Sequence, residues 1–124
     1  MSSKAPHLLR GAAAERAAAD WLSARGLTII ERNYSCRRGE IDLIAWDGEH
    51  LIFAEVRYRS RSDYGNPEET VDRNKQRRII AAAQWYLLQQ PQYEEYPCRF
   101  DVLVNDGAQT DGHFNWIQDA FQCD

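Results

Sequence analysis

Two carboxylates in the stretch GEIDLIAWDGEHLIFAEVRYRS have the types and spacing of a site for a hard metal ion. Asp42 and Glu55 fall in two strand-like segments, about Glu40 to Trp46 and His50 to Arg59. These segments join around Asp47-Gly48, and Asp-Gly between alternating hydrophobic residues is a strong hairpin signal. The sequence therefore predicts that the two acids lie on neighbouring strands.

The length of the hairpin loop decides how these two carboxylates face each other. With a two-residue loop, Asp42 lies opposite Phe53 and Glu55 is its diagonal neighbour. With a four-residue loop, Asp42 lies directly opposite Glu55. Side chains alternate between faces along a strand, so both loops place the carboxylates on one face, within about 5 to 8 Å. Only a loop of odd length would separate them.

Two like charges at this spacing destabilise a hairpin unless a cation lies between them. Arg57, two residues beyond Glu55 on the same face, could be that cation, in which case the cluster is purely structural. In the functional interpretation, Asp42, Glu55 and a main-chain carbonyl near Val56 bind Mg²⁺ or Mn²⁺, which prefer carboxylate, carbonyl and water oxygens. Such an ion could support the hydrolysis of a phosphodiester bond.

A third carboxylate is predicted on the first helix. The segment from about Leu8 to Arg25 is rich in Ala and Leu, and Gly26 follows as a plausible helix C-cap. Glu15 falls within the apolar stripe of this helix, so its carboxylate should face the interior and could complete the ligand set. The alternative is a residue at the edge of the stripe.

The remaining elements suggest a mixed sheet flanked by helices, which is an α/β (α+β) fold. The second helix could begin at Asn66-Pro67 or, later, with Asp72 as its cap, and it should run to about Gln90. Short β-rich runs are read as further strands at Leu27 to Asn33, Arg99 to Val104 and Gly112 to Ile117. The predicted order is α, β, β, β, α, β, β.

Basic residues cluster beyond Glu55 on its strand face and at the start of the second helix, where they could follow a phosphate backbone. Simple solvation is the alternative. The candidates for binding nucleic acid are Arg59, Arg61, Arg73, Lys75 and Arg78. Four aromatic residues could stack on bases, although packing is the commoner use of such side chains: Tyr58, Tyr64, Trp85 and Tyr86.

Composition sets the remaining bounds. The 124 residues suit one domain with a core from about residue 8 to residue 121, and 44% hydrophobic residues exclude general disorder. Neither a bilayer-spanning apolar run nor a secretory signal is predicted, so we expect a cytoplasmic protein without a membrane partner. The three cysteines form no zinc or disulfide pattern and are expected to be unpaired thiols. The net charge of −4 predicts weak, salt-sensitive binding of nucleic acid. No recognition helix, zinc finger or RNA-binding signature appears in the sequence, which favours recognition of shape over recognition of sequence.

Four segments in this order resemble the YraN family of small bacterial endonuclease-like proteins: Gly11 to Glu15, Gly39 to Ile44, Phe53 to Arg57 and Arg99 to Val102. The resemblance covers about Leu9 to Phe121. That family is similar to the archaeal Holliday junction resolvases and to the PD-(D/E)xK nuclease superfamily. The resemblance implies a restriction-endonuclease-like αβββαβ core, a metal-dependent nuclease of branched or damaged DNA, and a homodimer as a plausible assembly.

Carried over by position, the resemblance places the helix carboxylate at Glu15, the two strand acids at Asp42 and Glu55, and the motif lysine at Arg57. Arginine is a departure, because it keeps the positive charge but cannot act as a base near neutral pH. Lys75 or Gln76 on the second helix could enter the site in place of the missing lysine. Glu40, which shares the Asp42 face, is a secondary candidate.

Two functions from different classes follow. The first is a Mg²⁺- or Mn²⁺-dependent endonuclease acting on branched, flapped or single-stranded DNA through Glu15, Asp42, Glu55 and Arg57. The second is a non-catalytic module that binds nucleic acid or protein on a degenerate nuclease scaffold. In that module Arg57 neutralises the carboxylates in place of a metal.

Overall fold

A five-stranded sheet with two helices is formed by the residues that the computed structural model describes, which are 6–58, 71–105 and 114–123. In chain order, the elements are α1 (Pro6–Ala24), β1 (Thr28–Cys36), β2 (Gly39–Trp46), β3 (Leu51–Tyr58), α2 (Arg73–Gln89), β4 (Cys98–Asn105) and β5 (Asn115–Phe121). A short 3-10 helix, Pro91–Tyr93, follows α2. The predicted α+β class and the predicted order of elements are confirmed.

The sheet is mixed, and its strands lie in the order β1-β2-β3-β4-β5. All neighbouring pairs are antiparallel except β3 and β4, which are parallel. Parallel neighbours need a long connection across a face of the sheet, and here that connection contains α2. The strand that carries Glu55 is therefore central, between β2 and β4.

Each helix packs on a different face of the sheet, because alternate residues of the strands contact different helices. On one face, Ile44 and Phe53 pack with Ile79 and Tyr86 of α2. On the other face, residues from the same strands pack with Ala18, Ala19 and Leu22 of α1. Tyr86 thus has the core role rather than the base-stacking role considered for it. The Tyr58 side chain and Tyr64 lie outside the described residues.

The helix ends follow local sequence signals. α1 ends at Ala24, and Gly26, just beyond its end, has a φ of +94°. The Leu27 amide donates to the Leu22 carbonyl at 3.2 Å, and the Gly26 amide donates to Ser23, so the end is a Schellman motif. α2 begins after Asp72, whose side chain accepts from the Lys75 amide at 2.8 Å. The later of the two predicted starts is correct; a continuous helix from Asn66-Pro67 is not, because Val71 and Asp72 are not helical.

Two predicted strands have different bounds in the structure. β1 continues past Asn33 because it stays paired with β2 as far as Cys36 opposite Gly39. β5 begins at Asn115 after the non-strand residue Phe114, while the predicted start at Gly112 lies outside the described residues. It continues past Ile117, since Phe121 pairs with Phe100 after an irregularity in the register. Among the described helices, none is long and apolar enough to cross a membrane. The three cysteines are unpaired thiols, as predicted.

Asp101 on β4 is fully buried and holds β5 in place. Its Oδ1 accepts from Arg99 Nε and from the Asp119 amide, each at 2.9 Å. Its Oδ2 accepts from Arg99 Nη2 at 3.0 Å and from Trp116 Nε1 at 2.8 Å. These bonds anchor the irregular part of β5, where Asp119 has a φ of +55°. The Arg99 to Val102 segment of the resemblance therefore contains a structural carboxylate.

Replacing Asp101 by Ala is expected to lower the free energy of unfolding by about 3 to 5 kcal/mol. The partly buried Arg99 guanidinium would keep only Asp47, at 3.7 Å, and the N–H groups of Trp116 and Asp119 would lose their acceptor. Urea unfolding followed by circular dichroism measures this loss. Asp101→Asn keeps one acceptor oxygen, so its free energy of unfolding should lie between those of the parent and Asp101→Ala. The control is Asp20→Ala on the exposed side of α1, which should stay within about 0.5 kcal/mol of the parent. A loss below about 1 kcal/mol for Asp101→Ala would contradict the anchoring role.

Candidate active site

The hairpin that carries Asp42 and Glu55 has the four-residue loop. Pairing of β2 with β3 runs from Trp46 opposite Leu51 to Leu43 opposite Ala54. The loop is closed by Asp47, whose Oδ1 accepts from the main-chain amides of Glu49 at 2.8 Å and His50 at 2.6 Å. A side chain that bonds to its own loop in this way stabilises a tight connection.

The two strands separate just beyond the last pair, at the position where Asp42 and Glu55 would face each other. There Asp42 Oδ2 accepts a hydrogen bond from the Val56 amide at 2.8 Å. The carboxylate thus takes the place of a main-chain acceptor in the ladder. We call this point, formed by Asp42, Glu55 and Val56, the fork.

Three carboxylates interact at the fork, with Asp42 between the other two. Burial and then the negative charge of Asp42 raise the pKa of Glu55 to about 8, and the Glu55 side chain is only 4% exposed. The same two causes, in the same order, raise the pKa of Glu15 on α1 to about 7. Both glutamates also form side-chain hydrogen bonds with Asp42. The site therefore carries more negative charge than it can keep ionised near neutral pH.

Two cations approach Glu55 from different elements. Arg57 Nη1 and Lys75 Nζ each lie 3.6 Å from Glu55 Oε2. Both distances exceed that of a short charge-assisted hydrogen bond, so neither cation clamps the carboxylate. Arg57 Nε is buried and has no hydrogen-bond partner among the described residues. The guanidinium therefore keeps an unused donor beside the carboxylates.

Lys75 is the residue that α2 brings to the site. It lies in the first turn of the helix, and the Asp72 cap fixes that turn. Gln76, the other candidate on α2, donates from Nε2 to the Val71 carbonyl at 3.0 Å. Of the two alternatives for the missing lysine, the structure places Lys75 beside Glu55.

The other predicted residues lie at the margin of the site or beyond it. Glu40 is exposed and acts on Glu15 only through its charge. Arg73 and Arg78 are exposed on α2. Arg59 and Arg61 lie outside the described residues. Among the residues with described positions, no group of three or more His, Cys, Asp or Glu side chains is placed to hold a metal ion.

Sequence reasoning missed two contributors to the site. Asn33 on β1 bonds to the Glu15 side chain, which lowers the Glu15 pKa against the larger effect of burial. Its φ of +53° is left-handed, which asparagine tolerates better than most residues, but nothing in the sequence marks the position as a contact of α1. The Val56 main-chain amide was also missed, since hydrophobic patterning does not show where a ladder opens.

Comparisons with known proteins agree on one family. A family model described as "Uncharacterised protein family UPF0102" matches residues 14–104. The chain is 50% identical over 112 residues to a UPF0102 protein of Alcanivorax borkumensis, covering 90% of each chain. It is 50% identical over 113 residues to one of Hahella chejuensis, covering 91% of this chain and 90% of the relative. With one of Nitrosococcus oceani it shares 44% identity over 118 residues, 95% of each chain.

The crowded carboxylates predict that stability falls as the pH rises. The ordinary pKa of a glutamate is about 4.5, so between pH 4.5 and 8 the folded chain binds more protons than the unfolded chain. In chelator, the stabilisation present below about pH 4.5 should be lost as the pH rises to about 8, with a change on the order of 4 kcal/mol from Glu55. Urea unfolding at several pH values measures it.

Glu55→Gln cannot ionise and should flatten this pH profile. Glu94→Gln, at an exposed position, should leave the profile unchanged. A parent whose stability rises between pH 5 and 8, or a Glu55→Gln profile that follows the parent, would show that the carboxylates do not crowd one another.

Proposed function

The chain belongs to the uncharacterised protein family UPF0102, and for this member we propose a divalent-metal-dependent DNA endonuclease activity. One observation carries the proposal. The fork holds Asp42 and Glu55 together, and Arg57 and Lys75 lie at 3.6 Å from Glu55 without forming a tight ion pair. Paired carboxylates that can hold a metal ion, with adjacent cations to stabilise a phosphate, are groups that can support phosphodiester hydrolysis.

The donor chemistry of the fork suits Mg²⁺ or Mn²⁺. Both ions prefer oxygen ligands, and burial together with the charge of Asp42 raises the pKa of Glu55, which a bound cation would lower. Asp42 and Glu55 would hold the ion, together with a main-chain carbonyl near Val56. Glu15 bonds to Asp42 and would support the set from α1. The chemistry that such an ion supplies is polarisation of a phosphate oxygen and activation of water.

The chain's own cations would act on the DNA phosphate. Arg57 can grip phosphate oxygens in a bidentate way, and its buried Nε is a donor that no described residue uses. Water attacks phosphorus, the P–O bond to one sugar breaks, and a phosphate monoester and a hydroxyl result. Arg57 and Lys75 would stabilise the negative charge that grows on the phosphate oxygens during this step.

Lys75 would take the role that the superfamily gives to its motif lysine. An ammonium group 3.6 Å from Glu55 would orient the attacking water through its N–H donors and would give a proton to the sugar oxygen that leaves. Arginine does not give up a proton near neutral pH, so Arg57 would only stabilise negative charge on the phosphate. The lysine thus reaches the site from α2 instead of from β3.

DNA with branched, flapped or single-stranded segments is the proposed substrate. Exposed Arg73 and Arg78 flank Lys75 along α2 and would contact phosphates near the site. The chain has a net charge of −4, and its sequence shows no element for reading bases in a groove. Recognition of shape fits this combination better than recognition of sequence.

A second function is favoured by a specific observation. Glu55 already has two cations at 3.6 Å, and the described residues of the chain include no preformed group of three metal-holding side chains. A degenerate nuclease scaffold would have this arrangement if Arg57 and Lys75 neutralised the site permanently. Such a chain would bind nucleic acid or protein without cutting.

A cleavage assay separates the two functions. With millimolar Mn²⁺, the parent is expected to cut a four-way junction, a flap or a single strand, and to stop in chelator. Asp42→Asn keeps an acceptor for the Val56 amide and should lower the rate about 100-fold. Asp20→Asn is the exposed control. Failure of the parent to cut any of these substrates would favour the non-catalytic function. A cleavage rate of Asp42→Asn equal to that of the parent would contradict the assignment of the fork as the active site.

The role of Lys75 gives a separate prediction. Lys75→Gln should lower the cleavage rate about 100-fold, because both a charge and a proton-exchanging group are lost. Arg57→Lys should change the rate by less than about 3-fold, since the site already has a lysine. Arg16→Gln, at an exposed position on α1, controls for general loss of charge. A large gain with Arg57→Lys, combined with a mild effect of Lys75→Gln, would show that Arg57 is a lesion and that Lys75 is not the replacement.

A further inference from the structure

A second surface lies beside the candidate active site. A cleft of about 220 Å³ opens between α2 and the turn that joins β1 to β2, and it is lined by Cys36, Arg37, Arg38 and Trp85. Trp85 is one of only three large hydrophobic residues exposed among those that the structure describes, with 36% of its surface accessible. An exposed indole beside two arginines needs an explanation.

The cleft is held by a close contact between main chains. Gly39, at the start of β2, is buried, and a Cβ atom there would overlap the main-chain carbonyl of Arg78 on α2. Glycine therefore allows the turn to pack directly against the helix. This contact fixes Arg37 and Arg38 opposite Trp85, so the cleft is a product of the fold.

The chemistry of the cleft is cationic and aromatic. The guanidinium carbon of Arg38 lies 5.4 Å from the centroid of the Trp85 ring. Arg37, Arg38 and Arg78 are exposed, and none of them forms an ion pair with another described residue. Arg37 and Arg38 line the cleft with the Trp85 indole, and Arg78 lies on the same helix as Trp85. In a chain of net charge −4, this combination of cations and an aromatic ring is complementary to a strand that carries both phosphates and bases.

The cleft and the fork share α2. Arg78 follows Lys75 by one turn, and Trp85 lies seven residues beyond Arg78 on the same side of the helix. The distance from Lys75 to Trp85 along the axis is about 15 Å at about 1.5 Å per residue. One DNA strand advances about 3.4 Å per nucleotide in a duplex, so about four to five stacked nucleotides span this distance.

We propose that this cleft binds an unpaired nucleotide of the DNA strand whose phosphate lies at the fork. A base stacks on Trp85, and the adjoining phosphates contact Arg37, Arg38 and Arg78. A base in a duplex is already stacked and has no free face, so the cleft selects single-stranded segments next to the cutting point. The inference rests on the proposed function and names the feature of the substrate that this chain recognises.

Binding measured without catalysis tests the cleft. Fluorescence anisotropy in chelator compares a labelled single-stranded oligothymidine with a labelled duplex of the same length. Trp85→Leu is expected to weaken single-strand binding at least about 5-fold and to change duplex binding less than about 2-fold. Trp85→Phe should recover some of the affinity, because a phenyl ring still stacks. Tyr96→Leu, at an exposed aromatic outside the cleft, should have no effect.

Arg38→Gln provides an independent variant in case Trp85→Leu does not fold. It should weaken single-strand binding and reduce the dependence of log K on log salt by about 1. The proposed role of the cleft would be contradicted if the variants weakened single-strand and duplex binding equally. It would also be contradicted if neither Trp85→Leu nor Arg38→Gln changed single-strand binding. Trp85-dependent single-strand binding by a chain that never cuts DNA would support the cleft and reject the nuclease. If the chain cuts DNA but its single-strand binding does not depend on Trp85, the nuclease function is supported and the role of the cleft is rejected.

Discussion

The hydrogen bond from the Val56 amide to Asp42 Oδ2 is the interaction on which the candidate site depends. It lies where β2 and β3 separate, so the end of the hairpin ladder presents a carboxylate in place of a main-chain oxygen. Asp42 is thereby fixed between Glu15 and Glu55, and the burial and charge at this point raise the pKa of both glutamates. A fork of this kind concentrates negative charge at a defined place in a central region of the sheet.

The two helices supply opposite charges to this fork from opposite faces of the sheet. α1 brings Glu15, and its C-terminal end is fixed by the Schellman motif at Gly26. α2 brings Lys75, and its N-terminal end is fixed by Asp72. Because each helix is anchored by packing on its own face, the positions of Glu15 and Lys75 relative to Asp42 follow from the fold. The same α2 then extends past Arg78 to Trp85, which places the cationic cleft and the fork along one helix.

Much of this arrangement could be predicted from the sequence, because it follows from local patterns. Alternation and Asp47-Gly48 predict a hairpin with Asp42 and Glu55 on one face, and the apolar stripe of α1 predicts an inward Glu15. The loop length stayed open because it depends on the Asp47 side chain bonding to its own loop, which hydrophobic patterning does not specify. The approach of Lys75 to Glu55 depends on how α2 crosses the sheet, and residues 20 positions apart have no common local signal. Asp101 shows the opposite case, since a motif position that could have been functional is a buried anchor.

Calorimetric titration with Mn²⁺ near pH 7, repeated in two buffers of different ionisation enthalpy, tests the central claim most directly. An ion held by Asp42 and Glu55 must displace the protons that their crowding retains, so we expect about one ion per chain and a heat that depends on the buffer. Asp42→Asn should abolish both the binding and the proton release. A parent that binds no Mn²⁺ at millimolar concentration, or that binds it without releasing protons, would contradict the account.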